Sequence, residues 1–238
     1  MQVFYLPSLQ PNDSVAYFDA EESKHMVRVL RKKTGDLIYI TNGSGGLFKA
    51  EIGLATDKNC QVNIVEVELV PKDPYHIHLA VAPTKMNERF EWFLEKATEI
   101  GIHEITPIIC DHSERKIIKI DRMEKIIHAA VKQSVRAFAP KLNEPVSFDT
   151  FLKVTKNDTG NHFIAHCQTG EKSSLWDALP LSDSYTILIG PEGDFSEAEI
   201  KRAVAANYQA VSLGNQRLRT ETAALVAVHQ AVLKNQIV

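Results

Sequence analysis

The sequence predicts an α/β protein with a smaller β-rich region ahead of it, on three observations. The first seventy residues are mostly apolar and β-branched runs divided by turn residues; strand-like and helix-like runs alternate from His76 onward; and the last two strand-like runs each stop at a glycine. Such alternation implies a mainly parallel sheet, because parallel neighbours need a crossover long enough to hold a helix.

The β-rich part reads as strands over Val3–Leu6, Leu37–Thr41, Leu47–Ile52 and Val62–Val70. Asn42-Gly43-Ser44-Gly45-Gly46 predicts a hairpin, since glycine and asparagine tolerate the positive φ that tight turns need. One helix interrupts this pattern. Asp19 is its expected cap, Glu22 completes a capping box, Met26, Val29 and Leu30 form an apolar stripe, and Gly35 is the stop. Val70-Pro71-Lys72-Asp73-Pro74 reads as a linker, which sets a domain division at residues 1–72 and 73–238. Beyond it, strands are expected at His76–Ala82, Glu104–Cys110, His162–Cys167, Tyr185–Ile189 and Ala210–Leu213. Helices are expected at Asn87–Ile100, Asp121–Phe138, Glu197–Ala206 and Glu221–Lys234. The first of these is the clearest, because Phe90, Phe93, Leu94, Ala97 and Ile100 recur at helical spacing before Gly101.

Composition bounds the function classes. With 44% hydrophobic and 24% charged residues the chain matches an ordinary soluble globular protein. Its apolar runs fall far short of the roughly 20 residues that span a bilayer, so no membrane partner is expected. Met1–Pro7 has no basic segment before an apolar stretch and does not read as a signal peptide. Cys60, Cys110 and Cys167 are widely spaced with no CxxC pair, which argues against a disulfide framework or thiolate zinc site and points to the cytoplasm. The net charge of −3 does not announce a nucleic-acid partner, so any such reading rests on local patches. His76 and His78, like His162 and His166, lack metal-ligand spacing and read as structural; no metal is expected.

Two glycine-bearing loops are the strongest candidates for chemistry. Thr186–Ile189 runs into Gly190-Pro191-Glu192-Gly193-Asp194, and Ser196 with Glu199 forms a capping box for the next helix. Loops at the carboxyl ends of parallel strands are where α/β proteins bind ligands, although a tight strand–helix turn would look the same. The loop is neither a P-loop nor a GxGxxG dinucleotide turn, and Glu192 and Asp194 would repel phosphates. A phosphate-free nucleoside fits better, and cationic S-adenosylmethionine is one. The second loop, Leu213-Gly214-Asn215-Gln216-Arg217-Leu218-Arg219, leads into a helix that Thr220 can cap. Small residues at Ala223, Ala224 and Ala227 permit close packing of that helix. Two basic stretches complete the picture. Lys24, Arg28 and Arg31 recur at helical spacing beside His25, Lys32 and Lys33, and a second excess runs from Glu114 to Lys141. Both suit phosphate-backbone contact, or are simply solvated faces.

Taken in order, these residues resemble the RsmE-type family of 16S ribosomal RNA (uracil-N3)-methyltransferases, in the SPOUT superfamily. The resemblance is carried by Ser23–Arg31, Lys85, Lys96–Gly101, Pro107, Ser113-Glu114-Arg115, Gln133-Ser134, Arg136, Pro140, Ile189–Gly193 and Leu218–Ala223. It implies a PUA-like RNA-binding β-barrel over 1–72 and a methyltransferase domain with a deep trefoil knot over 73–238. It also implies a homodimer acting on the 16S RNA of the small ribosomal subunit, not on DNA, with S-adenosylmethionine as cofactor. By the same resemblance the cofactor would be held by Ala165, His166, Leu188, Ile189, Gly190, Pro191, Glu192, Gly193, Leu213, Gly214, Asn215, Leu218, Thr222 and Ala223. RNA would meet Lys24, His25, Arg28, Arg31, Lys32, Lys85, Arg115 and Arg136. Asp194, Lys132 and Gln216-Arg217 depart from the family pattern, and Gln2-Val3 lacks a frequent arginine.

Methylating uracil N3 requires loss of its proton or stabilisation of the resulting anion. Arg219 is the candidate for stabilising the anion or orienting the substrate, and Glu221 for orienting it or acting as base. Because N3 lies on the Watson–Crick edge, the base must be unpaired or flipped. Two alternatives remain at the level of sequence: a SPOUT-type ribose 2′-O-methyltransferase, and an RNA-binding protein that has lost catalysis.

Overall fold

The structure is a computed structural model describing residues 3–236, so Met1 and Gln2 lie outside the described residues. By internal packing these form two units: the chain up to Lys72 together with His128–Ala139, and Asp73–Ile127 together with the chain from Pro140.

The first unit holds β1 (Val3–Tyr5), β2 (Val15–Tyr17), α1 (Ala20–Lys24), β3 (Leu37–Thr41), β4 (Gly46–Ala55) and β5 (Cys60–Leu69), in a sheet of order β1-β3-β4-β5-β2. Strand β2 was not expected, since three residues are too few to show alternation. The inward strand side chains Phe4, Ile38, Ile40, Phe48 and Val62, placed on one face by period-two alternation, form one buried cluster with Phe18 and Met26. In the hairpin, Asn42 Oδ1 accepts from Ser44 N and Gly46 N, both at 2.9 Å, and Gly43 and Gly45 have φ of 69° and 104°. A Cβ on Gly45 would also lie 2.7 Å from the Phe138 ring.

The N-terminal helix departs from expectation. Asp19 Oδ1 accepts from Glu22 N at 2.8 Å, but the Glu22 carboxylate lies 3.6 Å from Lys132 Nζ instead of completing the box. The α-turn gives way to a π-turn over His25–Val29. That wider turn leaves Met26 buried but Val29 65% exposed, breaking the expected stripe. Arg31 then takes φ 54°, outside the helix, so Lys24, Arg28 and Arg31 do not share one helical face. Gly35 is not the stop; its N–H donates to Ile52 O.

From His76 onward the chain alternates strands and helices: β6 (His76–Val81), α2 (Asn87–Ile100), β7 (Glu104–Ile109), α3 (Ile120–Ser134), β8 (Lys141–Leu142), β9 (Val146–Ser147), α4 (Phe148–Val154), β10 (Asn161–Ala165), β11 (Ser173–Ser174), α5 (Leu175–Ala178), β12 (Ser184–Ile189), α6 (Glu197–Ala205), β13 (Gln209–Ser212) and α7 (Thr220–Gln236), with the part of α3 from His128 counted in the first unit and the other elements in the second. The strands pair in parallel in the order β11-β13-β10-β12-β6-β7-β8, with β9 beside β7. Helix α3 stops four residues short of the expected Phe138, where Val135 has φ 56° and Phe138 bridges to Ser44 within the first unit. The apolar face of α2 (Phe90, Phe93, Leu94, Ala97) is buried, as are Ala224, Ala227, Val228 and Ala231 of α7. The two helices pack together, the small residues of α7 permitting the close approach. Helix α7 thereby fixes the position of its own first turn.

Candidate functional site

Strands β10, β12 and β13 end side by side, Ala165 in register with Ile189 on one side and Val211 on the other. The loops that follow enclose a hollow of about 760 Å³, within the size range of small-ligand sites. Of the expected cofactor residues, Ala165, His166, Ile189, Gly190, Pro191, Glu192, Leu213, Gly214, Asn215, Leu218 and Ala223 line it. Leu188, Gly193 and Thr222 do not: Leu188 is buried in the sheet core, Gly193 is exposed on its loop, and Thr222 faces a second hollow. Sequence reasoning missed Gln168, Lys172 and Ser212 in the wall. Lys172 Nζ donates to the carbonyls of His166 and Gln168, both at 2.7 Å, which curls that loop over the hollow. No spacing rule announces such a bond.

The acidic residues are tied to backbone. Glu192 Oε1 accepts from Lys85 N at 2.9 Å, joining the loop after β12 to the loop after β6. Asp194, at φ 62°, accepts from Cys167 N at 2.8 Å and from Phe195 N at 2.9 Å. His112 Nδ1 lies 3.1 Å from Gly193 O and 3.0 Å from Asp194 O, donating where it carries the proton. Gly190 has a packing role that the sequence did not reveal, for a Cβ there would stand 3.0–3.1 Å from the buried Phe195 ring. On the opposite wall, burial with help from Lys172 pushes the His166 imidazole below its ordinary pKa, against the pull of Asp194. Its buried Nδ1 has no hydrogen-bond partner among the described residues.

Arg219 and Glu221 come together on a second hollow of about 580 Å³, which shares Arg217, Leu218 and Arg219 with the first. Glu88, Arg89 and Trp92 of α2 form its other wall. Arg219 is exposed, whereas Glu221 in the first turn of α7 is buried. Glu221 Oε1 lies 3.7 Å from Arg89 Nε, and buried Oε2 has no hydrogen-bond partner among the described residues.

The expected RNA-contact residues divide by unit. In the first, Lys24, His25, Arg28 and Arg31 are exposed and Lys32 half-buried. Arg28 pairs with Asp57 at 2.5 Å, and that hydrogen bond and charge hold the Asp57 carboxyl below its usual range. Arg136 is half-buried, and its backbone carbonyl accepts from Thr41 Oγ1. In the second unit, Lys85 Nζ pairs with Glu114 at 2.8 Å. Arg115 donates Nη2 to Lys85 O at 2.7 Å and Nε to Thr84 O and Lys85 O, bracing the loop after β6.

Among the described residues no group of three or more His, Cys, Asp or Glu is arranged to hold a metal, and no helix is long and apolar enough to cross a membrane. Apolar side chains, glycine-bearing loops and carboxylates already engaged by N–H groups suit a nucleoside without phosphates. The residues therefore fit S-adenosylmethionine.

Residues 71–232 match the model of the RNA methyltransferase domain, and residues 18–65 that of the RNA methyltransferase PUA domain. Ribosomal RNA small subunit methyltransferase E of Rickettsia conorii is 31% identical over 96% of this chain and 94% of its own. A crystal structure of a probable rRNA-methyltransferase from Porphyromonas gingivalis superposes with TM-score 0.86 at 38% identity, covering 96% of this chain and 95% of that one. Another, of ribosomal RNA small subunit methyltransferase E from Neisseria gonorrhoeae bound to S-adenosyl methionine, gives 0.83 at 27% identity over 96% and 95%.

Proposed function

The chain belongs to the RNA methyltransferase family, and on that premise we propose that it methylates N3 of a uridine in the 16S RNA of the small ribosomal subunit, using S-adenosylmethionine. The observation that carries this reading is the hollow at the ends of β10, β12 and β13 together with the second hollow beside α2, which shares Arg217, Leu218 and Arg219 with it. Bound in the larger hollow, S-adenosylmethionine supplies an electrophilic methyl group. Ala165, Ile189, Pro191, Leu213, Leu218 and Ala223 offer apolar contact to adenine, and the loop backbone at 189–193 and 213–215 offers its hydrogen-bonding groups. In this reading Arg219 stabilises negative charge developing on the base oxygens, and Glu221 holds or takes the N3 proton.

Residues 1–72 serve RNA contact through Lys24, His25, Arg28, Arg31 and Lys32, and residues 73–238 serve methyl transfer. The latter domain is of the SPOUT class with its C-terminal loops tied in a trefoil knot, the protein is a homodimer, and it works in the cytoplasm. The convergence of three loops on one hollow supports the knot, and the family's small-subunit relatives support the setting.

The test is incubation with labelled S-adenosylmethionine and small subunits from a strain lacking this protein, followed by nucleoside analysis. Labelled 3-methyluridine is expected. Ribose-methylated nucleoside, or no label with active protein, overturns the reading.

A further inference from the structure

The second hollow has features that cofactor binding leaves unexplained. Its α2 wall presents Trp92, 43% exposed, in a helix whose other aromatic residues, Phe90 and Phe93, are buried. Facing it across the hollow, Glu221 is 6% exposed and carries a buried oxygen that nothing described satisfies. Burying a carboxylate oxygen without a donor is costly, and proteins keep such groups where a ligand completes them. The missing partner must be a donor. Arg217 and Arg219 stand on the same rim, so the complementary ligand is flat, offers an N–H and gathers negative charge on flanking oxygens as that proton leaves. The imide edge of uracil has this pattern: N3–H between two carbonyls.

We propose that this hollow is the acceptor-base pocket, with Trp92 as the stacking face, Glu221 Oε2 as the acceptor of the N3 proton and Arg89 as a positioning residue for Glu221. The assignment rests on the methyltransferase reading above. Arg89 acts through Glu221: its Nε stands 3.7 Å from Oε1 and supplies the positive charge that a buried carboxylate requires. That leaves Oε2 for the base. In the reaction the N3–H proton passes to Oε2, which becomes a carboxylic acid. The N3 lone pair forms the new N–CH₃ bond, and the broken C–S bond leaves its electron pair on sulfur as a neutral thioether. Arg217 and Arg219 face the charge shared by O2 and O4 during the transfer. Trp92 accepts any base by its face, while Glu221 selects one with an N–H between carbonyls, so stacking and selection fall to different residues.

The test uses the full-length protein with small ribosomal subunits that lack the modification, and calorimetry for S-adenosylmethionine alone. Glu221→Gln preserves shape but cannot take the proton, so kcat at neutral pH falls about 10²- to 10⁴-fold. Its rate then climbs with pH towards the alkaline range where uracil N3 ionises unaided, while the wild type changes less. Arg89→Ala shows a weaker form of the same pH profile, and Arg89→Lys restores most of the rate. Trp92→Ala raises KM about ten-fold or more, and Trp92→Phe does so much less. Cofactor affinity stays within about two-fold in all five variants, as separate pockets require. The proposal is overturned by a Glu221→Gln enzyme with wild-type kcat, or one slow at every pH. It is equally overturned by Trp92→Ala altering sedimentation but not KM, which would give the hollow to subunit contact. A wild-type protein that binds no S-adenosylmethionine or labels no RNA removes the underlying reading instead.

Discussion

Asp194 stands at φ 62°, a left-handed conformation that costs a non-glycine residue about 1 kcal/mol or more. What it gains is a carboxylate held against Cys167 N at 2.8 Å, so that the loop after β10 is fastened to the loop after β12. A hydrogen bond to a charged group contributes about 1.5–3 kcal/mol, which exceeds the strain. Asp194→Gly should therefore lose more than it relieves. Its affinity for S-adenosylmethionine should drop about three- to ten-fold by calorimetry, with faster amide exchange at Cys167. Asp194→Asn keeps an acceptor and tolerates the same backbone, so it should stay within about two-fold of wild type. Unchanged affinity in the glycine variant would mean that the 165–168 loop is held by Lys172 alone. The same residue shows the limit of the sequence. Its acidity was readable as repulsion of phosphate, but its bond to a backbone N–H twenty-seven positions earlier was not. Local spacing carries no information about such a partner.

At the scale of elements, Glu199 shows how α6 and β7 are joined. It is fully buried, and its oxygens accept from Ser196 N at 2.8 Å and Asp111 N at 2.9 Å. The first bond completes the capping box expected from Ser196 and Glu199, which the structure contains. The second reaches the loop after β7 and had no local signature. Glu199→Ala leaves two N–H groups without their acceptor and should cost about 2–4 kcal/mol, read as a lower midpoint in urea unfolding. A loss under about 0.5 kcal/mol would show that water replaces the carboxylate. The same division governs the fold. Strands β3, β6, β7, β10 and β12 and helices α2, α6 and α7 were legible because each is long enough for its burial period to repeat. The short β2, β8, β9 and β11 and helices α4 and α5 were not. Helix α3 was overextended because residues 137–139, helical in composition, pair instead with the Gly43–Gly45 hairpin tip. Arg219 and Glu221 could be nominated from one short segment of sequence, but Arg89 could not, since its link to Glu221 exists only where α2 meets α7.

For the molecule as a whole, buried titrating groups set the limits of its pH range. His78 is nearly buried, and Asn143 Nδ2 donates to Thr106 Oγ1, leaving that hydroxyl to donate to His78 Nε2 at 2.7 Å. This arrangement supports a neutral imidazole, and burial outweighs the pull of Glu104, bringing the pKa down to about 4. Burial also lowers His76, His162 and His166. In the unfolded chain these groups titrate near 6.5. Between that value and about 4, the unfolded state takes up protons that native His78 refuses, so stability falls as pH falls. At the alkaline end the sign reverses. Burial raises Tyr208 to about 12 and also raises Cys110, so the unfolded state releases protons first and stability falls as pH rises past about 9. Stability is therefore expected to be greatest near neutrality. On the acid side each refused proton contributes a slope of about 1.4 kcal/mol per pH unit, and His78 alone up to ~3 kcal/mol. Urea unfolding at pH 7, 6, 5 and 4.5 measures that slope directly. His78→Asn cannot titrate and can still accept from Thr106, so it should remove about one proton's worth of slope whatever it does to stability at pH 7. If wild type and variant lose stability in parallel from pH 6 to 4.5, the acid limit belongs to the other histidines and to Glu104, whose lowered carboxyl acts at the bottom of that range.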